Sequence, residues 1–135
     1  MPRYFTRDSA EALLPRIEPL LREIQALRAE HLAAAHQKAA LGERVKRNGH
    51  LPHASTDDAS ATATQVRAHI EARLQQINDL GVLVKDLDAG LIDFPTLRDG
   101  HEVYLCWRLG EGEHIQWWHA IEDGFAGRQL LDPGA

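Results

Sequence analysis

The chain of 135 residues has a single cysteine, Cys106. No internal disulfide can form, so the fold must rest on its apolar core, and the composition fits a reducing, cytoplasmic setting. No apolar run approaches the roughly 18 residues that a membrane span needs, and the opening MPRYFTRDSAEALLP lacks the continuous apolar segment of a secretory leader. Cations are scarce where nucleic acid would need them. Residues 81–135 carry four Lys and Arg against ten Asp and Glu, a net of −6, whereas residues 1–80 balance at eleven against ten. Phosphate contacts require concentrated cationic side chains, so nucleic acid is disfavoured as the direct partner and cationic ligands or metals suit this half better. Phosphate-binding loops are missing too: GFAGR at 124–128 has neither the Lys nor the length of one. Asp86-x-Asp88-x-Gly90 lacks the third carboxylate and terminal Glu of a calcium loop and reads as an Asp/Gly turn.

What is present divides at about residue 80. Thr6 can cap a first helical turn, with Glu11 near the positive helix end, and Pro15 and Pro19 predict a kink or a short helix followed by a long one. From Ile17, seam positions recur in steps of three and four through Leu20, Ile24, Leu27, His31, Ala34, Lys38, Leu41 and Val45, a coiled-coil pattern. Asn48, Gly49 and Pro52 end this helix near Arg47. A turn over NGHLPHASTDD follows, with Ser55, Thr56 or Asp57 as cap of a second helix whose Ala59, Ala63, Val66, Ile70, Leu74 and Ile77 share one face. Two such helices should fold back as an antiparallel hairpin. Pairing outward from the turn sets Leu80 level with Ala26 and leaves Leu13, Leu14, Ile17, Leu20, Leu21 and Ile24 to pack on a sheet face or on a second copy of the chain. His31 and Lys38 interrupt the seam as snorkelling residues, a register device or, for His31, a metal ligand. Arg44, Lys46 and Arg47 near the hairpin tip read as an anion-binding group or as residues that solvate the tip and complement the helix end.

Beyond Gly81 short apolar runs alternate with Gly and Pro. Strands are expected over Val82–Leu87 and Leu91–Phe94, the second stopped by Pro95, and a hairpin over Val103–Leu109 and Ile115–Ile121. If Leu109 lies opposite Ile115, Trp107 meets Trp117 and Leu105 meets His119 on the core face. Tyr104, Cys106, Arg108, Gln116, Trp118 and Glu122 then form the other face, with Arg108 near Trp118. The whole reads as one α+β domain over 1–135, a long antiparallel helical hairpin arm (1–80) followed by a small antiparallel β-sheet (81–135).

His119, on an apolar face, needs a partner for a ring nitrogen, and Asp86, Asp93, Asp99 and Glu122 are available. With Arg128, these residues form a candidate polar cluster, flanked by Tyr104 and Trp118 as candidate ligand-facing aromatics. Such a cluster can be a general base, part of a metal site, or a buried His satisfied by a carboxylate. Cys106 beside Trp107 reads as a packed thiol, since a nucleophile would need a depressed pKa and a nearby base. No cofactor is identified. Two functional classes remain: a non-enzymatic assembly module whose helical arm binds a second copy or a protein partner, and a small metal- or ligand-binding protein or hydrolytic enzyme built on the His/carboxylate cluster.

Tyr4-Phe5-Thr6, Leu14-Pro15, Lys85-Asp86-Leu87, Gly90 to Pro95, Glu102 to Trp107, Trp118-His119, Gly124-Phe125 and Gly127-Arg128 together resemble a bacterial family of small proteins. That family is known only as a domain of unknown function, number twenty-two hundred and three. The resemblance spans nearly the whole chain and implies its boundaries and a bacterial origin; it carries no catalytic role.

Overall fold

The computed structural model describes residues 3–48 and 53–131, with side chains described outside 34, 35 and 37–60. Helix α1 spans Arg7–Asn48 and α2 spans His53–Asp79; strands β1 (Leu83–Asp86), β2 (Leu91–Arg98), β3 (His101–Arg108), β4 (Trp117–Ala120) and β5 (Gln129–Leu130) follow. The five strands form one antiparallel meander in the order β1-β2-β3-β4-β5. The class is α+β, a helical hairpin and then an antiparallel sheet. None of the described helices is long and apolar enough to cross a membrane.

Thr6 opens α1 with a reciprocal cap: its hydroxyl accepts the Ser9 N–H at 3.0 Å and the Ser9 hydroxyl accepts the Thr6 N–H at 2.9 Å. The helix then runs through Pro15 and Pro19 as one element rather than breaking into two. Both prolines are exposed. Four residues apart, they share the solvent side, where water can hydrate the carbonyls their missing N–H groups release. The opposite stripe, Ala10, Leu14, Ile17, Leu21 and Ile24, is buried.

The chain divides into two compact units, Met1–Arg22 with Leu74–Ala135, and Glu23–Arg73. In the second, α1 and α2 are joined by an ion pair from Arg73 to Glu23 at 3.0 Å, and Val66 is buried on the predicted face of α2. Helix α2 starts at His53, ahead of the three expected cap residues. Residues 49–52 of the expected turn lie outside the described residues, as do the side chains of Lys38, Arg44, Lys46, Arg47, Ser55, Thr56 and Asp57. His31 is half-buried, and its Nδ1 has no hydrogen-bond partner.

In the sheet-bearing unit, β2 does not stop at Pro95 but continues to Arg98. Pro95 accepts the Phe5 N–H at 2.8 Å through its carbonyl, and the Thr96 hydroxyl donates to the Phe5 carbonyl. In an antiparallel strand the N–H and C=O of one residue point the same way. The missing proline donor therefore faces the β1 side beyond Leu83, the first residue of that strand, and the ladder to β3 is unbroken. Asp99 and Gly100, with φ of 52° and 79°, form the two-residue turn that sets Arg98 opposite His101. That register runs back along the hairpin, placing Ile92, Phe94, Val103, Leu105 and Trp107 on one buried face, where Phe94 meets Phe5 edge-on at 5.3 Å.

Between β3 and β4 the observed register is Tyr104 to His119, Leu105 to Trp118 and Cys106 to Trp117, one residue away from the predicted pairing. Ile115 is buried, but its N–H donates to Glu11 of α1 at 2.7 Å rather than to β3. The Trp107 indole N–H reaches over to the Gly112 carbonyl. With those groups engaged elsewhere, the hairpin link is longer and β4 begins only at Trp117. A one-residue slip transfers every β4 side chain to the other face. His119 thus leaves the core face and joins Tyr104 and Cys106.

Candidate metal centre

The register assembles the site. Asp93 lies directly opposite Cys106 across β2 and β3, and His119 lies opposite Tyr104, diagonal to Cys106. The three side chains share a face and are almost wholly enclosed, with exposures of 1%, 0% and 2% for Asp93, Cys106 and His119. One ligand atom from each, a carboxylate oxygen, the thiol sulfur and an imidazole nitrogen, falls within 4.8 Å of the others.

Hydrogen bonds orient the imidazole. Nδ1 of His119 lies 2.8 Å from the Ala120 carbonyl, which can only accept, so Nδ1 carries a proton. Nε2 is thereby directed at Asp93, 3.0 and 3.1 Å from its two oxygens. A backbone carbonyl on one ring nitrogen, with the other nitrogen directed into the donor cluster, is the usual support of a metal-binding histidine. Tyr104 covers the ring edge-on at 5.6 Å and carries Lys85 Nζ over its own ring at 4.9 Å.

Cys106 donates its thiol proton to Asp93, and its pKa is pushed up to about 12. Burial is the main cause, and the negative charge of Asp93 adds to it; Arg128 pulls the other way. The Tyr104 hydroxyl is also raised, by burial and then by the charges of Glu102 and Asp93. A thiol held protonated, beside a histidine whose two nitrogens are engaged by a carbonyl and a carboxylate, is no activated nucleophile. Sulfur, nitrogen and oxygen donors together match the zinc, cobalt, nickel and copper group and not calcium or magnesium, which take oxygen alone.

The other expected site residues are dispersed. One Asp86 oxygen accepts the N–H groups of Asp88 and Ala89, a local Asp turn. Asp99 belongs to the β2–β3 turn, and Glu122 is exposed in the turn after β4. Trp118 faces the opposite side of the sheet, where Arg98 rather than Arg108 stacks on it at 4.7 Å; Arg108 lies over Phe125 instead. Arg128 is on the cluster's face. Its guanidinium packs between Trp117 and Phe125, 4.7 Å from each ring, and Nη2 bonds Glu111 at 2.7 Å.

A family described as "Uncharacterized conserved protein (DUF2203)" matches residues 3–131. The chain belongs to this family. No curated protein and no solved structure matches it. In this DUF2203 protein, sequence reasoning missed Cys106 as a partner of His119. The available signal was Asp99-Gly100, since a two-residue turn there places Asp93 opposite Cys106 by counting alone.

Proposed function

We propose that this DUF2203 protein binds a divalent transition metal of the zinc class through Asp93, Cys106 and the Nε2 of His119. One observation carries the reading: three chemically different ligand atoms, all buried, within 4.8 Å of one another. Charge supports it. A dication with one thiolate, one carboxylate and a neutral imidazole sums to zero, the balance that a water-poor site tolerates. Three protein ligands leave a fourth position for water, as in hydrolytic zinc sites. The enclosure of all three argues for holding the ion rather than turning over a bulky substrate.

The test is titration of metal-free protein with Co²⁺. One equivalent should produce tetrahedral visible bands and a thiolate-to-cobalt charge-transfer band, the latter lost in Cys106→Ser and both lost in His119→Ala. Zinc should displace the cobalt. A flat titration with correctly folded protein would sink the proposal.

A second reading uses the helical hairpin as an assembly element of a bacterial cytoplasmic protein, pairing with a second copy or another protein. The exposure of Leu32 on α1, at 57%, favours it. Light scattering at high concentration should then show an oligomer that Leu32→Lys weakens; a monomer throughout would count against self-association.

A further inference from the structure

The three donor residues are 2% exposed or less, so anything that reaches Cys106 must first displace the side chains over it. Trp117 lies opposite Cys106 across β3 and β4, and Arg108 follows it by two residues on β3, so both share its face. Arg128 packs 4.7 Å from the rings of Trp117 and Phe125, and Arg108 lies 5.5 Å from the Phe125 ring. The charges of Arg128 and Glu111 both act on the thiol, which sets this row of side chains beside it. Phe125 and Arg128 come from segment 121–128, the link between β4 and β5. Its backbone hydrogen bonds are local, from the N–H groups of Asp123, Gly127 and Arg128 to the carbonyls of Ala120, Gly124 and Phe125. Side chains therefore fasten it to the sheet. Glu111 is the anchor: its Oε1 accepts from Arg128 Nη2 at 2.7 Å and from the Arg108 N–H at 2.9 Å.

We infer that segment 121–128 is a gate over the Asp93, Cys106 and His119 cluster, and that the contact of Arg128 with Glu111 is its latch. The latch is built to open. Arg128 has a side chain only 9% exposed, yet its buried Nε has no hydrogen-bond partner. The closed state thus forfeits a bond that water would supply on opening, and this offsets part of what the Glu111 contact contributes. A hinge is present as well. Gly124, at the head of the short 3₁₀ turn Phe125–Gly127, holds φ at +63°, a region that glycine enters and leaves at little cost. Phe125 is 43% exposed, so its outer side already faces water. For the thiol, the gate sets the rate at which a reagent reaches sulfur. For a metal ion, it sets the rates of entry and release, a role that rests on the metal-binding reading above.

Cys106 is the only thiol, so alkylation of the metal-free full chain by N-ethylmaleimide at pH 8, followed by mass spectrometry, reads the opening. Arg128→Ala should speed labelling about tenfold or more, and Glu111→Gln, which keeps the shape and loses the charge, by a smaller factor, as loss of a charge-assisted bond implies. The Arg128 charge pulls the Cys106 pKa down, so its removal would by itself slow a thiolate reaction. Acceleration therefore reports access. Gly100→Ala, at the opposite end of the β2–β3 hairpin, weakens the whole fold and should leave the labelling rate unchanged. A folded Arg128→Ala protein labelled at the wild-type rate, or Gly100→Ala labelled as fast as Arg128→Ala, would show that the thiol is reached only by global unfolding and would overturn the gate. In Co²⁺-loaded protein the two latch variants should also speed release to a chelator. A chain that takes up no cobalt would remove the metal reading, while labelling of the metal-free protein still decides the gate.

Discussion

The buried thiol of Cys106 makes stability fall with pH in a calculable way. In the unfolded chain this group titrates near its ordinary value of 9.0, whereas in the fold it is pushed up to about 12. Below pH 9 both states hold the proton, so the thiol adds no pH dependence. Between 9 and 12 the unfolded chain releases it while the folded chain keeps it, so unfolding is favoured by about 1.4 kcal/mol per pH unit. The full span corresponds to about 4 kcal/mol, and a shift from pH 9 to 10.5 should remove about 2 kcal/mol. Cys106→Ala lacks this loss. It should start about 1 kcal/mol below the wild type at pH 7, from the buried group removed, and overtake it near pH 10. Urea unfolding followed by tryptophan emission is the assay, since Trp107, Trp117 and Trp118 all lie in the sheet. Tyr104 is raised in the same direction, but it is present in both proteins and cancels in the difference. Parallel stability curves from pH 7 to 10.5 would refute the reasoning. Zinc supplies an internal control: a thiolate already formed on the metal has no proton to retain, so the excess loss should vanish in loaded protein.

Metal binding should release the thiol proton of Cys106, which burial keeps in place at neutral pH, so apparent Co²⁺ affinity should rise with pH; pH-indicator titration reads the release. Asp93→Asn keeps the shape but removes a charge, and should weaken Co²⁺ by roughly 100-fold or more, beyond the usual loss for an outer-shell change, as measured by chelator competition. Gly90→Ala should cost about 2–4 kcal/mol, because φ is +66° and a Cβ would meet Leu109 Cδ1 at 2.4 Å. Gly100→Ala, at φ +79° but in open space, should cost only about 1–2 kcal/mol in the same urea assay.

The helices were legible because their signal is local. Leu14, Ile17, Leu21 and Ile24 repeat at the helical period and are buried, as are Val66 and Ile77 on α2. The strands β1 to β4 were legible as elements but not in their limits, and the two-residue β5 at Gln129–Leu130 was not legible at all. Pro95 looks like a stop until one knows which neighbour its nitrogen faces, and that depends on where β1 begins. The β3–β4 register was invisible for a similar reason: Ile115 continues the strand alternation in sequence, yet its N–H is taken by Glu11, 104 residues away. No reading of the hairpin alone contains that contact.

The site followed the register, and so it failed and succeeded with it. His119 and Asp93 were both recognisable as groups needing partners, but their union with Cys106 needs two strand pairings to be right at once. The resulting cluster would be costly if it carried net charge, because nothing around it can solvate an ion as water does. Two protonation patterns avoid that. With a thiol on Cys106 and one proton shared between Asp93 and His119, the group is neutral; with two protons exchanged for one dication, it is neutral again. A fold that tolerates the first state therefore tolerates the second without added electrostatic strain. An ordinary structural His–Asp pair needs no third group, and a packed thiol needs no carboxylate beside it. The convergence of Cys106 on the pair is thus the feature that metal binding accounts for and core packing alone does not.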